Sequence, residues 1–488
     1  MAGVGFELKK MFDKKGGYFH IVKGYCVSAI VTEGPMILCM IMLFSIRRML
    51  KELDTSYAVQ EMYLITTTYI MIFSLIFSNT VLMFISRFTS NCIYENRLKD
   101  ILPSFYAIVF WMLIISGIGS AVYIAGLEKP ALHKICNWIQ FVVMMIVWIQ
   151  MSYLSAIKKY VRVLIGFLAA VITAIALAIV FLYLGLEPLT AVFASQAAGF
   201  AVMAIMYMQE MIRYFPYDGK TNLFIFLPKL DAYKDLVATG FLTALGLYGH
   251  NFVFWFSEYR TEVIPRMVYC MKYDITNFYA SLTIIPFLVF FVVSLEVNFY
   301  KCYKKYFDSI LYDGTYDDIM FENEDLKKTL FRELLHVFEV QFFIEVACIT
   351  FVGNFLSTIG FDSEMIIMFR YLCMGYCFYV MVKSLIILLL YFDERMGALK
   401  VSLLFAVTSI LFSAATMYTD IENYGLGFLA AAILSTFYGL FLLRSYVNRL
   451  EYNVFCRQPL FADNEEGFFT RLGGYLDGKF DKKKKERT

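Results

Sequence analysis

The chain has 488 residues, 60% of them hydrophobic and only 17% charged, with a formal net charge of +2. A soluble fold of this length would expose more charge, and a near-neutral chain carries no global field for nucleic acid. There is no GxxxxGK phosphate loop followed by Ser or Thr and no CxxC pair, and the four histidines fall on separate elements, so neither P-loop ATP hydrolysis, a disulfide frame nor a zinc site is indicated.

Residues 1–24 lack a small-residue cleavage site before a short apolar core, so no removable signal peptide is read there. Phe6, Leu8, Met11 and Phe12 alternate with Lys9, Lys10, Lys14 and Lys15, which suits an amphipathic helix in the inner membrane interface. A bilayer core of roughly 30 Å needs about 20 apolar residues per helix. Stretches of that length predict spans at 25–46, 61–86, 101–126, 135–157, 163–184, 188–209, 235–257, 275–298, 333–360, 365–391, 397–417 and 424–447. The expected fold is therefore an all-α polytopic membrane protein with twelve transmembrane helices. The polar segment 210–234, with Pro216, Asp218-Gly219 and Pro228, divides them into a six-helix half at 25–209 and another at 235–447. Transporters are often built from two such halves, with the substrate path between them. Residues 299–332 form an expected cytoplasmic insert, basic at Lys301, Lys304 and Lys305 and then acidic through Asp308, Asp313, Asp317 and Asp318. Residues 448–488 form a C-terminal segment that carries the basic run Lys482–Lys485. Both suit solvated juxtamembrane helix, or docking of a cytosolic partner through Lys304, Lys305, Asp308, Asp317 and Asp318.

Lys and Arg accumulate on the cytoplasmic side of membrane proteins. With the N-terminus inside, the inner segments hold 32 of them and the outer segments 8, which predicts both termini in the cytoplasm. The outer segments carry twelve acids (Glu52, Asp54, Glu61, Glu128, Glu187, Glu258, Glu262, Asp274, Asp362, Glu364, Asp420 and Glu422). Loop solubility accounts for such acids; an exit surface for a cationic cargo is the functional reading.

Ionisable residues at membrane depth are costly and are candidates for function. At about 1.5 Å per residue, Glu33 lies roughly 12 Å into span 1, Glu345 about 18 Å into span 9 and His250 about 22 Å into span 7. Pro35 breaks the helix beside Glu33, where a carboxylate can take a cation or a proton. His250 can exchange a proton or bond a sugar hydroxyl, or simply pack. Arg370 and Lys383 lie nearer the surfaces of span 10, where long basic side chains can snorkel. Asn251 and Trp255 adjoin His250, and Phe252, Phe254, Trp255 and Phe256 form either an interfacial belt or a stacking platform for sugar rings. These residues make up the candidate substrate path.

The start Met1-Ala2-Gly3-Val4-Gly5-Phe6-Glu7-Leu8-Lys9-Lys10 resembles the opening MAGIGFELRK of the PelG family of Pel exopolysaccharide transporters. Other segments resemble that family in the same order: Gly34-Pro35, Phe254-Trp255-Phe256-Ser257, Tyr273-Asp274 with Ile285-Pro286, Glu296 with Phe299-Tyr300 and Tyr303, and Leu390-Tyr391-Phe392-Asp393 with Arg395. The similarity spans about 1–400, and the first ten residues are its most specific part. The chain departs from the family at Val297, where a Thr is expected, and at His250-Asn251, where an acid-base pair is common. Small hydroxyl residues are common in the family near Glu33, and no coupling scheme carries over to Glu33 or His250.

The resemblance implies a twelve-helix member of the multidrug/oligosaccharidyl-lipid/polysaccharide flippase superfamily in the bacterial inner membrane. It implies export of a partly deacetylated, cationic amino-sugar polymer for the biofilm matrix, with a cytosolic glycosyltransferase (PelF) as partner. Other Pel membrane components are further possible partners. The chain is then not itself an enzyme and needs no cofactor or metal. Other readings are an alternating-access flippase of lipid-linked oligosaccharide, with Arg370 and Lys383 as pyrophosphate ligands, and a non-transporting scaffold for the synthase. A fourth is an ion-driven antiporter using Glu33 and Glu345.

Overall fold

The computed structural model describes residues 34, 37–157, 159–217, 223–312, 314–456 and 467–475. The N-terminal segment 1–24, the candidates Glu33 and Pro35 and the run Lys482–Lys485 lie outside the described residues.

Eleven described helices are long and apolar enough to cross a membrane. Each falls on one of the apolar stretches from the second to the twelfth. The first stretch is represented by helix α1 (37–52). Then follow α2 (Tyr57–Tyr94), α3 (Leu98–Ala125), α4 (Ala131–Ala156), α5 (Val161–Tyr183) and α6 (Pro188–Tyr214). A short helix α7 (Leu227–Ala232) precedes α8 (Lys234–Phe254), which leads into a hairpin of β1 (Thr261–Ile264) and β2 (Met267–Tyr269). The chain continues through α9 (Met271–Phe291), α10 (Tyr300–Leu311), α11 (Tyr316–Phe351), α12 (Ser363–Tyr391), α13 (Arg395–Thr416) and α14 (Ile421–Asn448). It closes with α15 (Leu450–Phe455) and a last helix α16 (468–475).

Local chemistry sets the helix ends. Thr315 and Asp318 form a capping box that starts α11: the Asp318 N–H donates to Thr315 Oγ1 and the Thr315 N–H to Asp318 Oδ2. Asp362 caps α12 by accepting from the Met365 N–H at 2.9 Å. Pro188 occupies the first turn of α6, where its missing N–H is not needed.

Packing divides the chain into two units. One gathers Gly34–Ala244, Glu262–Val268 and α16; the other gathers Leu245–Thr261 and the chain from Tyr269 to residue 456. The boundary near the middle of the chain falls between Ala244 and Leu245, within α8 and beyond the 210–234 segment.

Lipid tails compete equally for apolar side chains, so helices in a membrane associate through close packing and polar contacts. In the first unit α6 packs on α4 and α5. At Gly199 a Cβ would lie 2.5 Å from the Ala170 carbonyl oxygen, so only glycine permits that approach. Gln196 bridges the interior: its Nε2 donates to Tyr63 Oη at 2.7 Å, and its Oε1 accepts from Gln140 Nε2 at 2.8 Å. Asp231 on α7 caps α16, accepting the Phe469 and Thr470 N–H groups and the Thr470 hydroxyl. Burial opposes the Asp231 carboxylate, but those donors and the nearby Lys234 hold its carboxyl below the usual range. In the second unit α12 and α13 both pack on α14.

The expected insert 299–332 is described as a helical hairpin of α10 and α11 that continues directly from the apolar helices, with Tyr312, Gly314 and Thr315 outside its helices. Its polar part from Tyr316 to Glu333 extends roughly 25 Å at 1.5 Å per residue. Asn323 and Lys327 hold Glu451 of α15 against it.

Candidate functional site

The second unit carries a connected, buried polar chain. Asp274, near the start of α9, accepts three N–H donors: Asn251 Nδ2 at 2.8 Å, Trp255 Nε1 at 2.9 Å and the Cys270 backbone N–H at 3.1 Å. Charge-assisted bonds of this kind are the strong ones. Asn251 Oδ1 then accepts from Asn277 Nδ2 at 3.2 Å, and Asn277 Oδ1 accepts from the Tyr376 hydroxyl at 2.8 Å. His250 sits beside this chain, fully buried, with Nδ1 2.7 Å from the Tyr273 hydroxyl. Its ring lies 4.4 Å from that of Phe428, and Nε2 has no hydrogen-bond partner among the described residues. The arrangement ties α8, α9 and α12 together through polar groups that water cannot reach.

Aromatic rings close the same region. Phe254 stacks on Tyr424 at 4.3 Å and 11° and meets Tyr273 at 4.3 Å. Phe254 is 0% exposed and Trp255 5%. Phe254 and Trp255 are thus spent on internal packing, whereas Phe256 is 71% exposed.

A second interlock joins α10 to the end of α12. Phe299 meets Tyr391 at 5.8 Å and Phe392 at 6.0 Å, and the Tyr303 hydroxyl donates to the Tyr391 carbonyl at 3.2 Å. The motifs that the sequence presented singly thus work in pairs. Phe254-Trp255 meets Tyr273-Asp274, and Phe299 with Tyr303 meets Tyr391-Phe392.

A third cluster surrounds Glu345, which is fully buried. Its Oε1 lies 2.7 Å from Thr283 Oγ1 and 2.6 Å from Gln341 Nε2. Further along α11, Glu333 accepts from Ser294 Oγ and Asn298 Nδ2, both at 2.9 Å. Ser294 and Glu333 also line a small cavity with Phe291, Phe299 and Leu388.

Of the remaining candidates, Arg370 is exposed and Lys383 half-buried on α12. Lys304 is exposed, Lys305 lies 3.9 Å from Glu322, and Asp308 is half-buried. Asp317 is exposed, and Asp318 serves the capping box. At least seven of the twelve acids assigned to outer segments are engaged within the protein, Glu61 through a side-chain hydrogen bond with Tyr57. Glu52 pairs with Arg48 at 2.9 Å, and Lys272 bridges Asp362 at 2.7 Å and Glu364 at 2.5 Å. Glu187 accepts from Thr190, Glu262 from the Arg266 N–H, and Asp274 has its three donors. Burial opposes the Asp362 carboxylate, but Lys272 and the Met365 N–H hold its carboxyl below the usual range.

Sequence reasoning missed Gln341, Thr283, Asn277 and Tyr376, which are uncharged and carry no depth signal. Asp274 was visible as a motif residue but was counted with the loop acids. Among the described residues no group of three or more His, Cys, Asp or Glu can hold a metal ion.

Solved structures share this fold of long apolar helices. A multidrug resistance MATE family transporter of the MOP superfamily, outward-facing, is 11% identical with a TM-score of 0.59, covering 87% of this chain and 96% of its own. The inward-facing form of a MATE family transporter is 12% identical with a TM-score of 0.56, covering 81% and 91%. The Vibrio cholerae MATE transporter VcmN in its bent form is 10% identical with a TM-score of 0.57, covering 92% and 99%. At such identities the likeness is one of fold. No curated protein matches the chain. The family model of PelG, exopolysaccharide exporter (EPS-E), matches residues 1–455, and the chain belongs to that family.

Proposed function

We propose that this protein exports a Pel-type, partly deacetylated amino-sugar polysaccharide across the bacterial cytoplasmic membrane as a cytosolic glycosyltransferase makes it. Both termini then face the cytoplasm, the exported polymer supports a biofilm matrix, and the chain performs no catalysis of its own.

Membership of an exopolysaccharide exporter family supports the cargo class. The observation that carries the partnership is the α10–α11 hairpin. Leu311, Tyr312, Tyr316 and Phe321 are 69–75% exposed at its polar end. Exposed apolar side chains grouped in this way mark interaction surfaces. Exposed Asp317, Asp318 and Glu324 lie among them, so a partner with an apolar centre and a basic rim fits.

Co-purification of the full chain with the glycosyltransferase tests this. Replacing Leu311, Tyr312, Tyr316 and Phe321 together by Ser is expected to abolish the complex and secreted polymer while membrane insertion persists. Deleting 308–325 is expected to do the same. An intact complex with either variant refutes docking at this hairpin.

A further inference from the structure

We propose that Glu345 is a proton-binding site, and that its occupancy sets the bend of α9 at Thr283–Pro286. This goes beyond the export reading and does not depend on the identity of the cargo.

The backbone of α9 is broken here by its own sequence. Pro286 offers no N–H to the Leu282 carbonyl, and residues Leu282–Ile284 tighten into a 3-10 turn. Such a break is tolerated in a membrane only where neighbours satisfy the freed groups. The Leu282 carbonyl takes the Ile285 N–H within the 3-10 turn, and α11 ties down the next residue. Gln341 Nε2 donates to the Thr283 carbonyl at 3.1 Å and to Glu345 Oε1 at 2.6 Å. Immediately beyond Glu345, α11 itself widens into a π turn at Cys348–Val352. Glu345 thus stands where two adjacent spans both lose regular helix geometry.

The hydrogens can be counted. Thr283 Oγ1 lies 2.7 Å from the Ala280 carbonyl and 2.7 Å from Glu345 Oε1. A threonine hydroxyl has one hydrogen. When it goes to Ala280, the short contact with Glu345 needs a hydrogen from the carboxyl. The neutral acid supplies it, donating to Thr283 Oγ1 while Gln341 donates to the same carboxyl oxygen. When the proton leaves to water, the Thr283 hydroxyl turns to the carboxylate. The Ala280 carbonyl then loses its side-chain donor, and an intrahelical bond becomes an interhelical one. The swap exchanges a bond inside the broken turn of α9 for a bond to α11.

One further group touches the cluster: the Cys373 thiol on α12 is within hydrogen-bonding reach of Glu345 and Thr283. Glu345 and Gln341 are each 0% exposed. Glu345 Oε2 and Gln341 Oε1 have no hydrogen-bond partner among the described residues. The titratable groups that face Glu345 are Cys348 on its own span and Cys373 and Cys377 on α12. No Lys, Arg or His among the described residues forms an ion pair with it within 4 Å.

Infrared difference spectroscopy of the reconstituted full chain tests the proposal. At neutral pH, subtracting Glu345→Gln from the unaltered protein is expected to leave a carboxylic-acid C=O band. Thr283→Val, which removes the hydroxyl but keeps the carboxyl, is expected to shift that band to higher frequency. In cells, Glu345→Gln at equal protein level is expected to lower secreted polymer at least tenfold, because the proton can no longer leave. Carboxylate bands in place of the acid band overturn the site. Unchanged polymer with Glu345→Gln overturns the switch. If Glu345→Gln fails to insert, the Thr283→Val band decides: an unshifted band refutes the proposal.

Discussion

Replacing Asp274 by Ala removes the acceptor of three N–H groups at once: the Asn251 amide, the Trp255 indole and the Cys270 backbone. Asn251 is 3% exposed and Trp255 5%, so neither recovers its bond from water. Inter-side-chain hydrogen bonds within membranes are worth about 0.6 kcal/mol on average and about 1.7 at most. Three of them place the loss at about 2–5 kcal/mol. Asp274→Asn keeps one acceptor oxygen and is expected to lose about half of that. The disturbance should spread to Asn277 and Tyr376, since both reach Asp274 through Asn251. Thermal unfolding of the detergent-solubilised full chain, followed by tryptophan emission, measures this. The order of melting temperature should be unaltered protein, then Asp274→Asn, then Asp274→Ala. Trp255→Phe assigns the emission change to that indole. An Asp274→Ala protein that melts with the unaltered one, with unchanged Trp255 emission, refutes the claim that this carboxylate holds α8 to α9.

Other outcomes follow from the same structure. Gly199→Val should sharply reduce membrane-inserted protein, because even a Cβ would stand 2.5 Å from the Ala170 carbonyl; near-normal yield in a fluorescence size-exclusion assay would contradict this. Thr315→Ala removes one half of the capping box and should cost about 1 kcal/mol, read as increased hydrogen exchange confined to the first turn of α11. Asp231→Ala should free α16, read as faster limited proteolysis after residue 456 with the rest of the chain intact. The Asp362 carboxyl is held below its usual range, so the stability it contributes with Lys272 is present above the unfolded value near pH 4 and is lost as pH falls through the folded one. Both partners are more than 40% exposed, so the effect should stay at or below about 1 kcal/mol, and Lys272→Met should flatten the acid limb of the stability curve.

Hydrophobic length alone made the spans legible, because a bilayer imposes one strong rule on every helix that crosses it. All eleven described membrane-length helices fall on apolar stretches of the sequence. The hairpin was half legible: 299–332 read as polar and helical, but its exposed aromatic end became visible only when Leu311 and Phe321 proved uncovered. The polar chain was the least legible part. Asp274 reads as a loop acid until Asn251 and Trp255 are seen to donate to it from another helix. Gln341 has no charge to mark it, yet it stitches the broken turn at Thr283. A side chain's type also does not reveal whether its ring faces a ligand or, like Phe254, another ring of its own unit.

Export itself is tested most directly by reconstitution. The full chain is placed in liposomes, with the glycosyltransferase and its nucleotide sugar supplied on one side only. Hexosamine polymer is then measured on the other side after enzymatic removal of whatever remains with the enzyme. Polymer should appear across the membrane only when both proteins and the nucleotide sugar are present, and the hairpin variant should abolish it. Polymer made in full but confined to the side of its synthesis, with the exporter intact and inserted, would contradict the account.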